Sequence, residues 1–264
     1  VIKPTQVVEK APEKILEPPV PKVEWTLDSE DKMWSIAKKM QNRADWIERC
    51  YTLRFKDKKI YVAHDGEKDL ALDMKTKLSK IVDAVAILNE LLDPRAIMVI
   101  GENKSFGIML GRCMMILEVG KREAIPKLLS VFSALLHKGR QKPTIALPPK
   151  KTVKLKLVDK EKMWKIARSV KLSIPRVVNC YMVVQENGSF AIAHDGDKFL
   201  AKMQEELITN IIHAMEILDE VVNVRGLISF GEQSLVVLKK KGYIIMKLEG
   251  APPAEVLQII SAAS

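Results

Sequence analysis

The feature that most constrains this chain is a repeat at a separation of 130 residues, held without a gap over most of each copy. Lys32, Met33, Trp34, Ile36 and Ala37 return as Lys162, Met163, Trp164, Ile166 and Ala167. Cys50-Tyr51 returns as Cys180-Tyr181, and Ala63-His64-Asp65-Gly66 as Ala193-His194-Asp195-Gly196. Ile87-Leu88 and Glu90 recur as Ile217-Leu218 and Glu220, and Gly101-Glu102 as Gly231-Glu232. Solenoid units repeat every 20 to 50 residues or so, so a period this long is a duplicated domain. The expected division is a Pro/Lys/Glu-rich tail over 1–21, a first domain over 22–141, a basic linker over 142–152 and a second domain over 153–264.

Within each copy the hydrophobic periods predict a fixed order of elements. The alternation Val23, Trp25, Leu27, matched by Val153, Leu155, Leu157, reads as a short strand. Asp28 or Ser29 is expected to cap a helix running to about Met40, with Asp159 in the same role in the second copy. Strands follow near 50–55 and 59–63, joined by Lys56-Asp57-Lys58 in the first copy and by the stronger hairpin signal Glu186-Asn187-Gly188 in the second. A long helix covers about 75–92, then three strands near 96–100, 105–110 and 113–118, and a closing helix at about 124–138. A shorter closing helix is expected near Ile260. The repeat is read as slipping by one residue in the turn before the last strand, so that Gly111 and Glu118 match Gly242 and Glu249. Short turns between consecutive strands imply a mostly antiparallel sheet covered by helices, an α+β layered domain.

The long helices carry more apolar surface than one sheet can cover. Leu78, Ile81, Val82, Val85, Ile87, Leu88, Leu91 and Leu92 in the first copy, and their counterparts from Leu207 to Val222 in the second, exceed the roughly 100° stripe of a half-exposed helix. The favoured partner for the surplus face is the same helix of the other copy, as in a two-fold dimer folded into one chain. Cover by the third helix is the alternative.

Composition bounds the setting. Apolar residues are 47% and charged residues 29% of the chain, and no uncharged apolar run approaches the roughly 20 residues of a membrane span. No signal peptide is recognisable, and three cysteines, two at equivalent positions, suit buried thiols in a reducing compartment, so a cytoplasmic location is expected. The lack of an initiator Met suggests a processed or partial chain. The net charge of +10 is uneven: residues 28–141 carry 21 basic and 16 acidic groups, 142–157 carry 5 and none, and 158–264 carry 13 of each. A positive half attracts acidic partners, whether nucleic acid or protein.

The order of elements, with Tyr61-Val62-Ala63-His64-Asp65-Gly66 and Ile97-Met98-Val99-Ile100-Gly101-Glu102 at the second and third strands and their turns, resembles the roadblock family of small GTPase-associated and dynein-associated proteins, which is longin-related. The similarity covers about 28–140 and 158–264. It implies an intrachain pseudo-dimer in which third strands pair, Ile97 and Val99 with Leu227 and Ser229, while Ile81, Val85 and Leu88 pack near Ile211, Met215 and Leu218. A connector of about 15 residues spans up to roughly 50 Å, enough to permit this. The resemblance further implies a non-enzymatic scaffold or regulator of a Ras-like small GTPase or a larger assembly.

Catalytic chemistry is mostly excluded by pattern. Gly120-Lys121-Arg122 lacks the upstream glycine and the following Ser or Thr of a phosphate-binding loop. His64-Asp65 and His194-Asp195 are read as structural turns, because adjacent strand residues point to opposite faces and no third ligand lies at a metal-binding spacing. A functional contact is the alternative. Cys50 and Cys180 are read as small buried residues, and Trp34 and Trp164 as core. No cofactor, metal or catalytic residue is assigned. Trp46, beside Arg43 and Arg49, is either buried or a stacking residue. With Lys38, Lys39, Arg54, Lys56, Lys58, Lys59, Lys150 and Lys151 it makes a candidate basic patch, which motivates the competing expectation of a nucleic-acid- or ribosome-associated protein. No base-reading motif accompanies the patch.

Overall fold

In the computed structural model, the residues described are 23–120, 124–135, 145, 155–157, 161–186, 189–195, 204–250 and 252. The first copy runs β1 (Glu24–Leu27), α1 (Asp31–Gln41), β2 (Ile47–Lys56), β3 (Lys59–His64), α2 (Leu72–Leu92), β4 (Ala96–Gly101), β5 (Ser105–Leu110), β6 (Met114–Val119) and α3 (Ile125–Leu135). The second repeats the order with β7 (Leu155–Leu157), α4 (Glu161–Ser173), β8 (Val177–Glu186), β9 (Ser189–His194), α5 (Glu205–Val222), β10 (Val224–Phe230), β11 (Gln233–Lys239) and β12 (Gly242–Glu249). The expected tail, the turn at Asn187-Gly188, Asp159 and the closing helix near Ile260 lie outside the described residues.

All twelve strands form one mostly antiparallel sheet, in the order β1-β3-β2-β6-β5-β4-β10-β11-β12-β8-β9-β7, and the fold is α+β. Among the strands of the described residues, the edge strands β1 and β7 pair in parallel, with β3 and β9, and the others antiparallel. At the centre β4 pairs antiparallel with β10: Ile100 lies opposite Gly226, Val99 opposite Leu227, Met98 opposite Ile228 and Ile97 opposite Ser229. Met98 and Ile228 are repeat equivalents, so the register relates the two strands by an approximate two-fold axis through that pair.

The pleat sends alternate residues to two cores. One holds Ile97, Val99, Phe106, Ile108, Leu227, Leu235 and Val237 with the inner faces of α2 and α5, which are in mutual contact. The other holds Met98, Ile100, Leu117, Ile228 and Met246 with residues of α1, α3 and α4. Phe132 of α3 meets Phe230 of the other copy edge-on, ring centroids 5.5 Å apart. The third helix therefore covers the opposite face and is not the cover for the long helices. Ala84 and Ala214, equivalent and both fully buried, keep side-chain bulk low along α2 and α5.

Turns show where local chemistry decides. Asp57 and Lys58 both adopt positive φ (52° and 59°), the primed turn a two-residue hairpin needs. Both long helices end in left-handed residues, Asp93 and Asn223, each with φ 47°. The expected cap of α1 is corrected: the N-cap is Glu30, whose side chain makes no capping hydrogen bond. The Asp28 carboxylate instead accepts the Glu30 N–H at 2.9 Å and binds Arg54.

The expected slip is also corrected. Ala96 faces Met109 while Gly226 faces Leu238, a separation of 129 between partners, and Cys50 faces Leu117 while Cys180 faces Met246, again 129. The second copy is thus one residue shorter in the turn between β10 and β11 than the first is between β4 and β5. Glu118 corresponds to Lys247, and Gly111 to Lys240.

Gly101 begins that longer turn. A Cβ there would lie 2.5 Å from the Val222 carbonyl oxygen at the end of α5, and against the Lys104 carbonyl. Gly101→Ala is expected to lower stability by about 1–3 kcal/mol. Gly111→Ala, whose Cβ meets nothing nearer than 3.8 Å, should change it by less than about 0.5 kcal/mol. Urea unfolding of both variants checks the contrast.

Candidate functional site

The seam between the copies brings together the residues assigned to it from sequence. Ile81, Val85, Leu88, Ile97, Val99, Ile211, Met215, Leu218 and Leu227 are fully buried in one core. Ser229 is buried there as well, and its hydroxyl has no hydrogen-bond partner. Polar contacts close the seam: the Arg95 N–H donates to Phe230 O at 2.6 Å, and the Glu102 N–H lies 3.3 and 3.2 Å from the Val222 and Asn223 carbonyls. Lys80 on α2 pairs with Glu220 on α5 at 2.5 Å, and Arg225 with Glu102 at 2.7 Å. Lys80 corresponds to Asn210, so this helix-to-helix ion pair is not duplicated across the axis. Beside Arg225 lies a shallow groove of about 220 Å³ lined by Glu102, Asp219, Asn223, Lys239 and Lys240. Its charges are largely matched within the chain, since Lys239 also pairs with Asp219 at 2.6 Å.

The candidate basic patch is dispersed. Lys38 and Lys39 are exposed on α1 and Arg43 just beyond it. Arg49 lies opposite Glu118, whose carboxylate meets Lys77 of α2, so the pleat places Arg49 on the other face of the sheet from α1. Arg54 is held by Asp28 at 2.6 Å and by Glu30, and Lys59 by Glu24 at 2.8 Å. Lys56 and Lys58 stand exposed at the β2–β3 turn. Trp46 is half-buried against the core beneath α1 and α3, which favours packing over stacking. Lys150 and Lys151 lie outside the described residues. Sequence proximity grouped side chains that strand alternation then separated.

The His-Asp turns pin strand ends. The Asp65 and Asp195 carboxylates accept the Cys50 and Cys180 N–H at 3.3 and 2.8 Å, while their own N–H groups donate back to those residues' carbonyls, at 3.2 Å in each case. His64 Nδ1 accepts the Gly66 N–H at 3.1 Å, which puts the proton on Nε2, 2.9 Å from Asp69 O. The expectation that neighbouring His and Asp point apart is corrected in the second copy: His194 Nδ1 lies 3.1 Å from Asp195 Oδ1, because Asp195 has already left the strand. Lys171 also reaches Asp195, at 3.2 Å. Trp34 is buried, donating its indole N–H to Asp28 O at 2.7 Å, and Trp164 is half-buried. Burial pushes the Cys50 and Cys180 thiols up to about 12.

Sequence reasoning missed a buried carboxylate. Glu118, 2% exposed, receives Lys77 Nζ at 2.5 Å, Lys104 Nζ at 2.7 Å and the Tyr51 hydroxyl at 3.4 Å. Burial pushes its carboxyl up, but hydrogen bonds and charge from Lys104 and Lys77 outweigh this and hold it below the ordinary value. The corresponding residues are Lys247 for Glu118, Leu207 for Lys77 and Gln233 for Lys104, so the second copy has no such cluster. An alternation of apolar residues broken by Glu118 was the available signal. Among the described residues no group of three or more His, Cys, Asp or Glu is placed to hold a metal, and no helix is long and apolar enough to cross a membrane. No protein-family model matches the chain, and no curated protein matches it in sequence.

Glu118→Gln leaves two lysines around a neutral group, and the expected loss is about 2–4 kcal/mol, below the value for a fully buried pair because Lys104 is half-exposed and screened. Chemical denaturation at pH 7 measures it. At high pH the two thiols act together. Their folded values lie above the ordinary 9.0, so their contribution is complete below pH 9 and is lost as pH rises towards about 12. Stability should fall there by up to about 1.4 kcal/mol per pH unit per thiol. Cys50→Ala/Cys180→Ala should flatten that slope in urea titrations at pH 8, 9.5 and 11.

Proposed function

We propose that the protein is a non-enzymatic scaffold or regulator for a Ras-like small GTPase or a larger assembly, acting through the composite surface of two roadblock-like domains joined as an intrachain pseudo-dimer. The observation that carries this reading is the seam: third strands paired about Met98 and Ile228, with the long helices α2 and α5 in contact on one face. That is the arrangement the resemblance implies. The His-Asp turns support the non-enzymatic part, because their polar atoms hold backbone at strand ends. The competing nucleic-acid reading rests on net charge and on Lys38, Lys39 and Arg43. Dispersal of the other basic groups over two faces and into ion pairs weakens it.

The discriminating experiment presents the full chain to small GTPases loaded with GDP or a GTP analogue, and in parallel to RNA and DNA at low and high salt. A stable complex with at least one GTPase and no retention on nucleic acid at low salt is the expected result. Retention on nucleic acid that falls steeply with salt, with no GTPase bound in either state, would replace the proposal with its competitor.

A further inference from the structure

The helices on the two faces of the sheet expose opposite charges. On the long-helix face the exposed charged residues of α2 and α5 are Asp73, Glu90, Glu205, Glu206 and Glu220, all acidic. On the opposite face α1 exposes Lys32, Lys38 and Lys39, and the turn that continues it exposes Arg43. Asp31, also exposed on α1, is taken by Lys68 at 2.7 Å, and Glu30 by Arg54. Among the described residues no acidic group pairs with any of the four cations, and the next acid along the chain is the exposed Asp45.

Helical geometry gathers these cations. Lys32, Lys39 and Arg43 are seven and four residues apart, roughly two turns and one turn, so they project within about 40° of one another. They form a row about 16 Å long, turned away from the buried Met33, Trp34 and Ala37. Helix stability does not account for it. A cation is favoured at a helix C-terminus, which explains Lys38 and Lys39, but Lys32 lies in the first turn, where the dipole disfavours positive charge. Nor does the fold require the row, since the second copy has Ser169 and Ser173 in place of Lys39 and Arg43.

The neighbours of the row narrow what it fits. Its other exposed positions are the polar Ser35 and Asn42, and α1 exposes no apolar or aromatic side chain. A protein hot spot needs an apolar or aromatic anchor, and a single strand of nucleic acid needs aromatic platforms. An anionic bilayer needs only cations that reach one plane together. We infer that the α1 surface of the first copy docks the protein on an anionic membrane, with Lys32, Lys39 and Arg43 against the headgroups and the acidic long-helix face turned away. Docking of this kind is independent of the GTPase reading, which is tested with proteins free in solution.

Flotation of the full chain with vesicles of phosphatidylcholine, alone or with about one third phosphatidylserine, at low and high salt tests the assignment. Binding to the anionic vesicles at low salt, absent on neutral ones and weakened by salt, is expected. Each cation at an anionic surface changes partition about fivefold, so Lys39→Gln/Arg43→Gln should lower it roughly twentyfold and Lys32→Gln about fivefold. Lys32→Gln removes a charge that the helix dipole disfavours, so a loss there does not come from a weakened helix. Lys240→Gln/Lys241→Gln, at the exposed β11–β12 turn, makes the same change in net charge as the first variant and should lower partition less than about threefold. Failure of anionic vesicles to retain the chain at low salt, or equal weakening by the two double variants, would overturn the assignment. So would a nucleic-acid duplex that strips the chain from vesicles at equal phosphate and loses affinity for the same α1 variants, because the row would then belong to nucleic acid.

Discussion

Pairing of β4 with β10 is the contact on which the molecule's organisation depends. It removes the most exposed liability of each copy, a hydrophobic edge strand with unsatisfied backbone groups, by using each edge to cover the other. Once Met98 faces Ile228, the positions of α2 and α5 follow, because each helix lies on its own copy's strands and the two strand sets are now adjacent. The overly wide apolar surfaces of the long helices and the apolar character of Ala96–Ile100 are therefore one requirement seen on two layers. Neither copy's long helix could remain half-exposed without leaving Ile87 or Ile217 in water.

Much of this was legible in the sequence because it rests on periods that burial enforces. The element order, the strand positions and the extra burial of the long helices all follow from alternations of two and of 3.6 residues. The slip was misread for the same reason. Separations of 131 and 129 differ by two residues, and a pleated strand repeats every two, so both alignments place apolar residues on the same faces. Only hydrogen-bond register distinguishes them. Candidate site residues divided likewise: seam residues came together because they are apolar and periodic, whereas the described members of the basic patch, grouped by sequence proximity, lie on two faces of the sheet. The Asp28 side chain was expected at a helix start, yet it is turned to Arg54, a partner 26 residues away that no local rule exposes.

The halves differ at one buried polar cluster. In the first copy Glu118 is held by two lysines and a tyrosine hydroxyl, and without the lysines it would be an unpaired buried charge. In the second copy the carboxylate position carries Lys247 and the neighbouring lysine position Leu207.

Placing a positive residue where its counterpart carries a negative one has a geometrical consequence. A two-fold platform offers a ligand two indistinguishable orientations, related by half a turn about the axis through Met98 and Ile228. Here the half-turn exchanges Lys80, on the surface of α2, with Asn210, and beneath the surface the buried Glu118 with Lys247, so the degeneracy is lifted. The two halves of the surface about that axis are therefore not interchangeable.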